Sequence, residues 1–171
     1  MGMDVIGKNP STATGEYFRN NIWAWRPLWN YCVEVAPEIC ENVRGDENGG
    51  DGLDAADAEQ LAQLLLEEIH CGRAARYKKS YDARLARLPR SECSYCDATG
   101  IRSDEVGVNM RMPDRELDES SQILFGRTHG WCNGCRGEGK VDHFEMSYPF
   151  TVENVQEFAE FCSESGGFEI H

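Results

Sequence analysis

The chain has 171 residues, with 30 acidic against 17 basic side chains and a formal net charge of −13 at pH 7. That length suits one domain, or a domain carrying a small insert, and can bury an ordinary core. The acidity excludes broad phosphate-backbone binding, duplex DNA included, which needs clustered Lys and Arg, and no run approaches the ~18 apolar residues of a membrane span.

The charge is laid down unevenly: residues 41–68 hold nine acids and one base, 73–90 seven bases and one acid, and 142–171 seven acids and no base. An acidic body with one basic ridge is expected. The first residues show no basic segment leading into an apolar one, and Cys32, Cys40, Cys71 and Cys162 are scattered in apolar or helical context. Both features point to a cytoplasmic protein with reduced thiols.

Taken in order, Met3-Asp4-Val5-Ile6-Gly7 reads as an edge strand, followed by a Gly7-Lys8-Asn9-Pro10 turn. From Glu16 the chain becomes aromatic, and Phe18, Ile22, Trp25, Trp29 and Val33 follow a helical stripe that Pro27 should interrupt or restart. The bland reading is a core helix pair. The sharper one notes that arginines are interleaved with the rings. Arg19, Trp23, Trp25 and Arg26 are therefore candidate ligand-binding residues, able to clamp a base and its phosphate.

Gly45 to Gly52 is a glycine-rich acidic loop that departs from a calcium loop at Asp51, where the sixth position needs glycine, and at Asp57, where the twelfth needs glutamate. A helix follows, with Ala58, Leu61, Leu64, Leu65 and Ile69 on one stripe. Gly72 ends it, and helical composition resumes from Ala74 to Leu88. The basic run 73–90 is either a solvated helix face or an anion-facing ridge.

Cys93-Ser94-Tyr95-Cys96 and Cys132-Asn133-Gly134-Cys135 each place two thiols on one tight turn followed by glycine. Four thiolates suit one Zn²⁺ held tetrahedrally in a closed, structural site. A redox Cys-x-x-Cys would instead open a helix after a strand and leave the second copy unexplained. Between the knuckles, Met110-Arg111-Met112-Pro113 and Ile123-Leu124-Phe125 are expected as short strands, and His129 is an alternative ligand. Residues 141–148 alternate like a strand. Thr151 is a plausible N-cap for a helix with Val152, Val155, Phe158, Ala159 and Cys162 on its apolar face. Gly166-Gly167 stops that helix, and Phe168-Glu169-Ile170 can return as a strand.

The expected fold is α+β: a small helical and sheet body formed by 1–90 and 141–171, with a Cys₄ zinc-binding β-hairpin module, 91–140, inserted into it.

At the knuckles the chain resembles the cysteine-rich zinc domain of DnaJ-type chaperones, whose repeat is Cys-x-x-Cys-x-Gly-x-Gly. Cys132 to Gly139 matches fully, and Cys93 to Gly100 matches with Ala98 in place of the first glycine. The resemblance implies one zinc held by an outer pair of repeats around an antiparallel excursion. Two repeats stand here where that family has four, and no His-Pro-Asp tripeptide occurs, so chaperone activity is not implied. The wider layout looks like uncharacterised small proteins of bacteriophages and prophages. Its features are a Met-Asp-Val-Ile-Gly strand, Tyr-Phe-Arg-Asn-Asn, Gly-Asp-Gly-Leu before a helix and a Gly-Gly-Phe-Glu-Ile ending.

No Gly-x-Ser-x-Gly, phosphate-binding glycine loop or His-Glu-x-x-His is present. Cys71 lies beside His70 and near Arg73, but adjacent helical side chains point apart. The chain is expected to act without catalysis, binding a bacterial host protein. The alternative is a binder of a phosphorylated nucleotide or other small anion.

Overall fold

The structure, a computed structural model, describes residues 2–171. Strand β1 (Gly2–Gly7) turns Met3 and Val5 into the core, and β2 (Tyr17–Asn21) does the same with Phe18 and Asn20. Helix α1 (Ile22–Val35) follows without a loop, because Asn21 leaves the strand in extended backbone and its side chain accepts the Ala24 N–H. A short helix α2 (Pro37–Cys40) and a two-residue strand β3 (Gly52–Leu53) lead to helix α3 (Ala55–His70). Asp54 caps α3 by accepting from Ala56 and Asp57 N–H groups, and Leu61 and Leu65 are fully buried along its stripe. Gly72, at φ +69°, separates it from helix α4 (Arg73–Leu85).

The metal-module elements are strand β4 (Ser91–Glu92), helices α5 (Glu105–Asn109) and α6 (Glu119–Phe125), and strand β5 (Lys140–Val141), with a 3₁₀ turn at Phe144–Ser147. Helix α7 (Val152–Ser165) starts at Thr151, whose hydroxyl accepts the Asn154 N–H, and ends at Gly166 in left-handed backbone. Strand β6 (Phe168–Ile170) follows.

The main sheet has the order β2-β1-β6-β3, with every pair antiparallel. Val5 lies opposite both Phe18 and Ile170, so β1 is an inner strand rather than an edge. The last strand, drawn from Gly-Gly-Phe-Glu-Ile, occupies its other side. Helices α1, α3 and α7 bury Trp25, Leu61, Leu65, Phe158 and Phe161 together with Met3, Val5 and Phe168 of the sheet. Trp25 and Trp29 stack at 5.7 Å, and Phe158 meets Trp25 edge-on at 5.5 Å. Each such large side chain contributes about 1.5–3 kcal/mol of burial.

Several local expectations are corrected. Phe18 belongs to β2, since Phe18 and Asn20 alternate inward against β1 instead of continuing the helical stripe. Pro27 sits inside a continuous α1, where it is buried with Trp25, Leu28 and Trp29. Its ring removes one backbone N–H from the helix ladder, and packing outweighs that loss. Ile123-Leu124-Phe125 ends α6, and Met110 to Pro113 is the turn after α5, so neither forms a strand. Beyond Val141 the alternating run forms the 3₁₀ turn.

The chain divides into two compact units: residues up to Ala86 with Ser147–His171, and Arg87–Met146. The second unit is longer at both ends than 91–140. Its β4–β5 pair joins Ser91 to Val141, and Arg90 is ion-paired with Glu138 and Asp142, so both flanks belong to the metal module.

Candidate metal centre

The two knuckles are built alike. Thr99 N–H donates to the Cys96 carbonyl, and Glu138 N–H donates to that of Cys135. Gly100 N–H reaches Cys96 Sγ at 3.3 Å, and Gly139 N–H reaches Cys135 Sγ at 3.1 Å. Every one of these pairs is related by the same 39-residue offset that separates Cys93 from Cys132 and Cys96 from Cys135.

Such turns need left-handed backbone. Asp97, Ala98, Arg136, Gly100, Gly137 and Gly139 all have positive φ. The knuckles also approach one another closely. A Cβ on Gly100 would lie 2.2 Å from the Gly137 carbonyl oxygen, and one on Gly139 would lie 2.2 Å from that of Ala98. Only glycine permits that contact.

The result is a buried cluster of Cys93, Cys96, Cys132 and Cys135, with all four sulfurs within 4.8 Å of one another. Cys93 and Cys132 are 3.8 Å apart, and Cys96 and Cys135 are 3.6 Å apart. A tetrahedron with metal–sulfur bonds of ~2.3 Å has sulfur–sulfur edges of ~3.8 Å. The four buried thiols therefore fit one tetrahedral metal ion. Among the described residues no other group of His, Cys, Asp or Glu is arranged to hold one.

Burial pushes the Cys96 thiol up to about 12 and raises Cys135 as well. At Cys132 burial acts in the same direction, but the Cys135 and Gly134 N–H groups outweigh it and hold this thiol below its ordinary value. Metal ligation needs thiolates, and crowded buried thiolates need a cation, so the cluster and the ion would stabilise each other.

Two arginines brace the centre, and nothing in the cysteine spacing marks them. Arg127 donates through Nη2 to the Gly100 carbonyl at 3.2 Å and the Gly137 carbonyl at 2.8 Å, one from each knuckle. Its guanidinium lies 4.8 Å from the Phe125 ring. Arg102 is almost buried, pairs with Asp104, donates to Asn133 Oδ1 and covers the Tyr95 ring at 4.7 Å. His129, the alternative ligand, is outside the cluster and pairs through Nδ1 with the Thr128 hydroxyl.

The aromatic candidates of the other unit do not act as one set. Trp25 is fully buried, and its Nε1 donates to the Gly45 carbonyl, which places it in the core. Arg19 pairs with Asp4 on the sheet. Trp23 remains 47 % exposed and meets the Tyr148 ring at 4.8 Å, while Arg26 donates to the Tyr148 hydroxyl and lies 5.7 Å from its ring. Tyr148 was not singled out by the sequence.

Much of the basic run is engaged with the preceding helix, with its own helix or within the metal module. Arg73 pairs with Glu67 and Glu68, Lys78 with Asp82, and Arg90 with Glu138 and Asp142. Asp51 of the glycine-rich loop accepts the Arg44 and Gly52 N–H groups, which close the loop and lower its carboxyl below the usual range.

No family model, curated protein or solved structure matches this chain. What stands is the cluster of four cysteines able to hold a metal ion, and no family is assigned.

Proposed function

We propose that this is a non-catalytic accessory protein of the phage type, carrying one structural zinc ion on Cys93, Cys96, Cys132 and Cys135 and docking through its metal module on a protein of the bacterial host. When bound, zinc supplies charge for four thiolates and a cross-link between the knuckles. A set of four sulfur ligands reserves no position for a water nucleophile. The residues around it hold shape: Arg127 ties the two knuckles through their carbonyls, and the glycines allow the close approach.

One observation carries the docking reading. Of twelve large apolar side chains that are well exposed among the described residues, eight lie in Arg87–Met146, and Ile123 and Leu124 on α6 are 79 % and 73 % exposed. Exposed apolar side chains concentrated in one unit favour that unit as the docking partner's contact. The test is cross-linking mass spectrometry in bacterial lysate, comparing the zinc-loaded protein with an Ile123→Asp/Leu124→Asp variant that retains its zinc. Cross-links to one host protein that map to α5 and α6 and vanish in the variant are expected. Equal capture by both proteins overturns the reading.

A second reading is favoured by the half-exposed Trp23 beside Tyr148 and Arg26. These three form a ledge able to stack a base, and a phosphorylated nucleotide is the ligand class it suits. Trp23→Ala should weaken nucleotide binding by about 1–3 kcal/mol if a base stacks there.

A further inference from the structure

Helices α6 and α7 each end on a glycine in left-handed backbone, Gly126 at φ +64° and Gly166 at φ +61°. Helix α5 ends in the same kind of turn: the Arg111 N–H donates to the Val108 carbonyl and the Met112 N–H to that of Gly107. The residue that turns left-handed here is Arg111, at φ +54°. Glycine is the favoured residue at that position, and any side chain there is strained. Four non-glycine residues have positive φ among those described. Asp97, Ala98 and Arg136 belong to the knuckles, leaving Arg111 alone outside the metal ligand turns.

Arg111 and Arg115 line one open hollow of about 430 Å³ with Met110, Met112 and Asp114. Among the described residues neither guanidinium has a carboxylate within ion-pair distance, although the chain is strongly acidic. Arg115 is fixed in direction, with its guanidinium 4.9 Å from the Trp131 ring. Two guanidinium forks, one of them held by a ring, suit a phosphoryl group, which they can bind through several parallel N–H···O bonds. Met110 is 55 % exposed and offers an adaptable apolar contact for a base, and Asp114 offers an acceptor for a sugar hydroxyl.

We infer that this hollow is a binding site for a phosphorylated nucleoside, with Arg111 and Arg115 on the phosphoryl group, Asp114 on the sugar and Met110 against the base. The site shares its ligand class with the Trp23 ledge but lies in the other unit, and it shares the exposed Met110 with the docking surface. A compact ligand also fits the net charge, which opposes an extended polyphosphate chain.

The strain supplies a clean test. Arg111→Gly removes the guanidinium while placing the favoured residue in the turn, so it should melt no lower than the parent and keep its zinc. Calorimetry of the zinc-loaded full chain with adenosine and guanosine monophosphates, inorganic phosphate and the unphosphorylated nucleosides reads the ligand. Trp23→Ala is titrated alongside. The expected result is binding of a nucleoside monophosphate more tightly than either fragment. Affinity should fall at least about tenfold in Arg111→Gly and in Arg115→Met. The inference is overturned if no monophosphate binds, if Arg111→Gly binds as the parent does, or if only Trp23→Ala loses binding, which would move the ligand to the ledge.

Discussion

Gly100→Ala and Gly126→Ala separate backbone conformation from knuckle contact. Both glycines are left-handed, at φ +75° and +64°. An alanine at either position takes on roughly 1–2 kcal/mol of left-handed strain, reduced by about 0.4–1 kcal/mol because the unfolded chain loses freedom. Around Gly126 an added Cβ meets nothing within 4 Å, so that variant should cost about 1 kcal/mol and keep its metal affinity. At Gly100 the added Cβ would lie 2.2 Å from the Gly137 carbonyl oxygen and 2.8 Å from Arg127 Nη2. Carbon–oxygen contacts close in to about 3.3 Å, so the knuckles must separate by roughly 1 Å. Sulfur edges of 3.6–3.8 Å cannot be kept through such a shift. Gly100→Ala should therefore lose about 3 kcal/mol of metal binding, on the order of a hundredfold. Competition against a chromophoric zinc chelator measures both variants on one scale. Equal zinc affinities for Gly100→Ala and Gly126→Ala would refute the inter-knuckle contact as the constraint.

Cys132→Ser should lose stoichiometric zinc and melt residues 87–146, since structural zinc supplies on the order of 10 kcal/mol of apparent binding free energy; elemental analysis with amide NMR reads both. Deleting 147–171 removes α7, with Phe158 and Phe161, as well as β6, which pairs with both β1 and β3. Circular dichroism should then show residues 1–86 without a cooperative transition. The Asp118 carboxyl is held well below the usual carboxylate range by the Ser120 hydroxyl, then by the Ser121 N–H and hydroxyl. Its depressed folded value means that its support for α6 is complete above the unfolded pKa and declines as pH falls toward the folded one. Carbonyl-carbon NMR titration should find Asp118 ionised at pH 3, and a midpoint near ~3.9, the ordinary value, would contradict this.

Much of the architecture was legible because it rests on long periodic segments. The stripe of α3 and that of α7 both face the core, and Thr151 caps α7 as its side chain predicts. The four thiols were legible from spacing alone. The short elements were less so, for a physical reason. Over five residues, Tyr17 to Asn21 fits a strand or the start of a helix, and only pairing with β1 decides it. In Ile123-Leu124-Phe125 the apolar run suggested a strand, yet the cap Asp118 and the stop Gly126 frame α6 in the sequence and outweigh the run. Arg127 left no trace, because its role depends on two carbonyls that only folding brings together. Trp25 and Trp23 are two residues apart on α1, where helix geometry sends one inward and leaves the other half exposed.

The metal centre also accounts for the unusual surface of its module. Outside the cysteines, Met112 and Leu117 are the buried hydrophobic side chains of Arg87–Met146. A module of that size with so small a core is marginal without another source of stability. Four thiols closed on one ion would provide it, together with the carbonyl clamp of Arg127 and the Arg90 ion pairs. Once the fold is held from the knuckles, the apolar residues of α5 and α6 are released from packing duty. Val106, Val108, Met110, Ile123 and Leu124 can then stay exposed without unfolding the chain. The same logic allows Arg111 to occupy a turn that glycine would fill more comfortably. Its strain is tolerable in a module whose stability would come from the metal ligand turns.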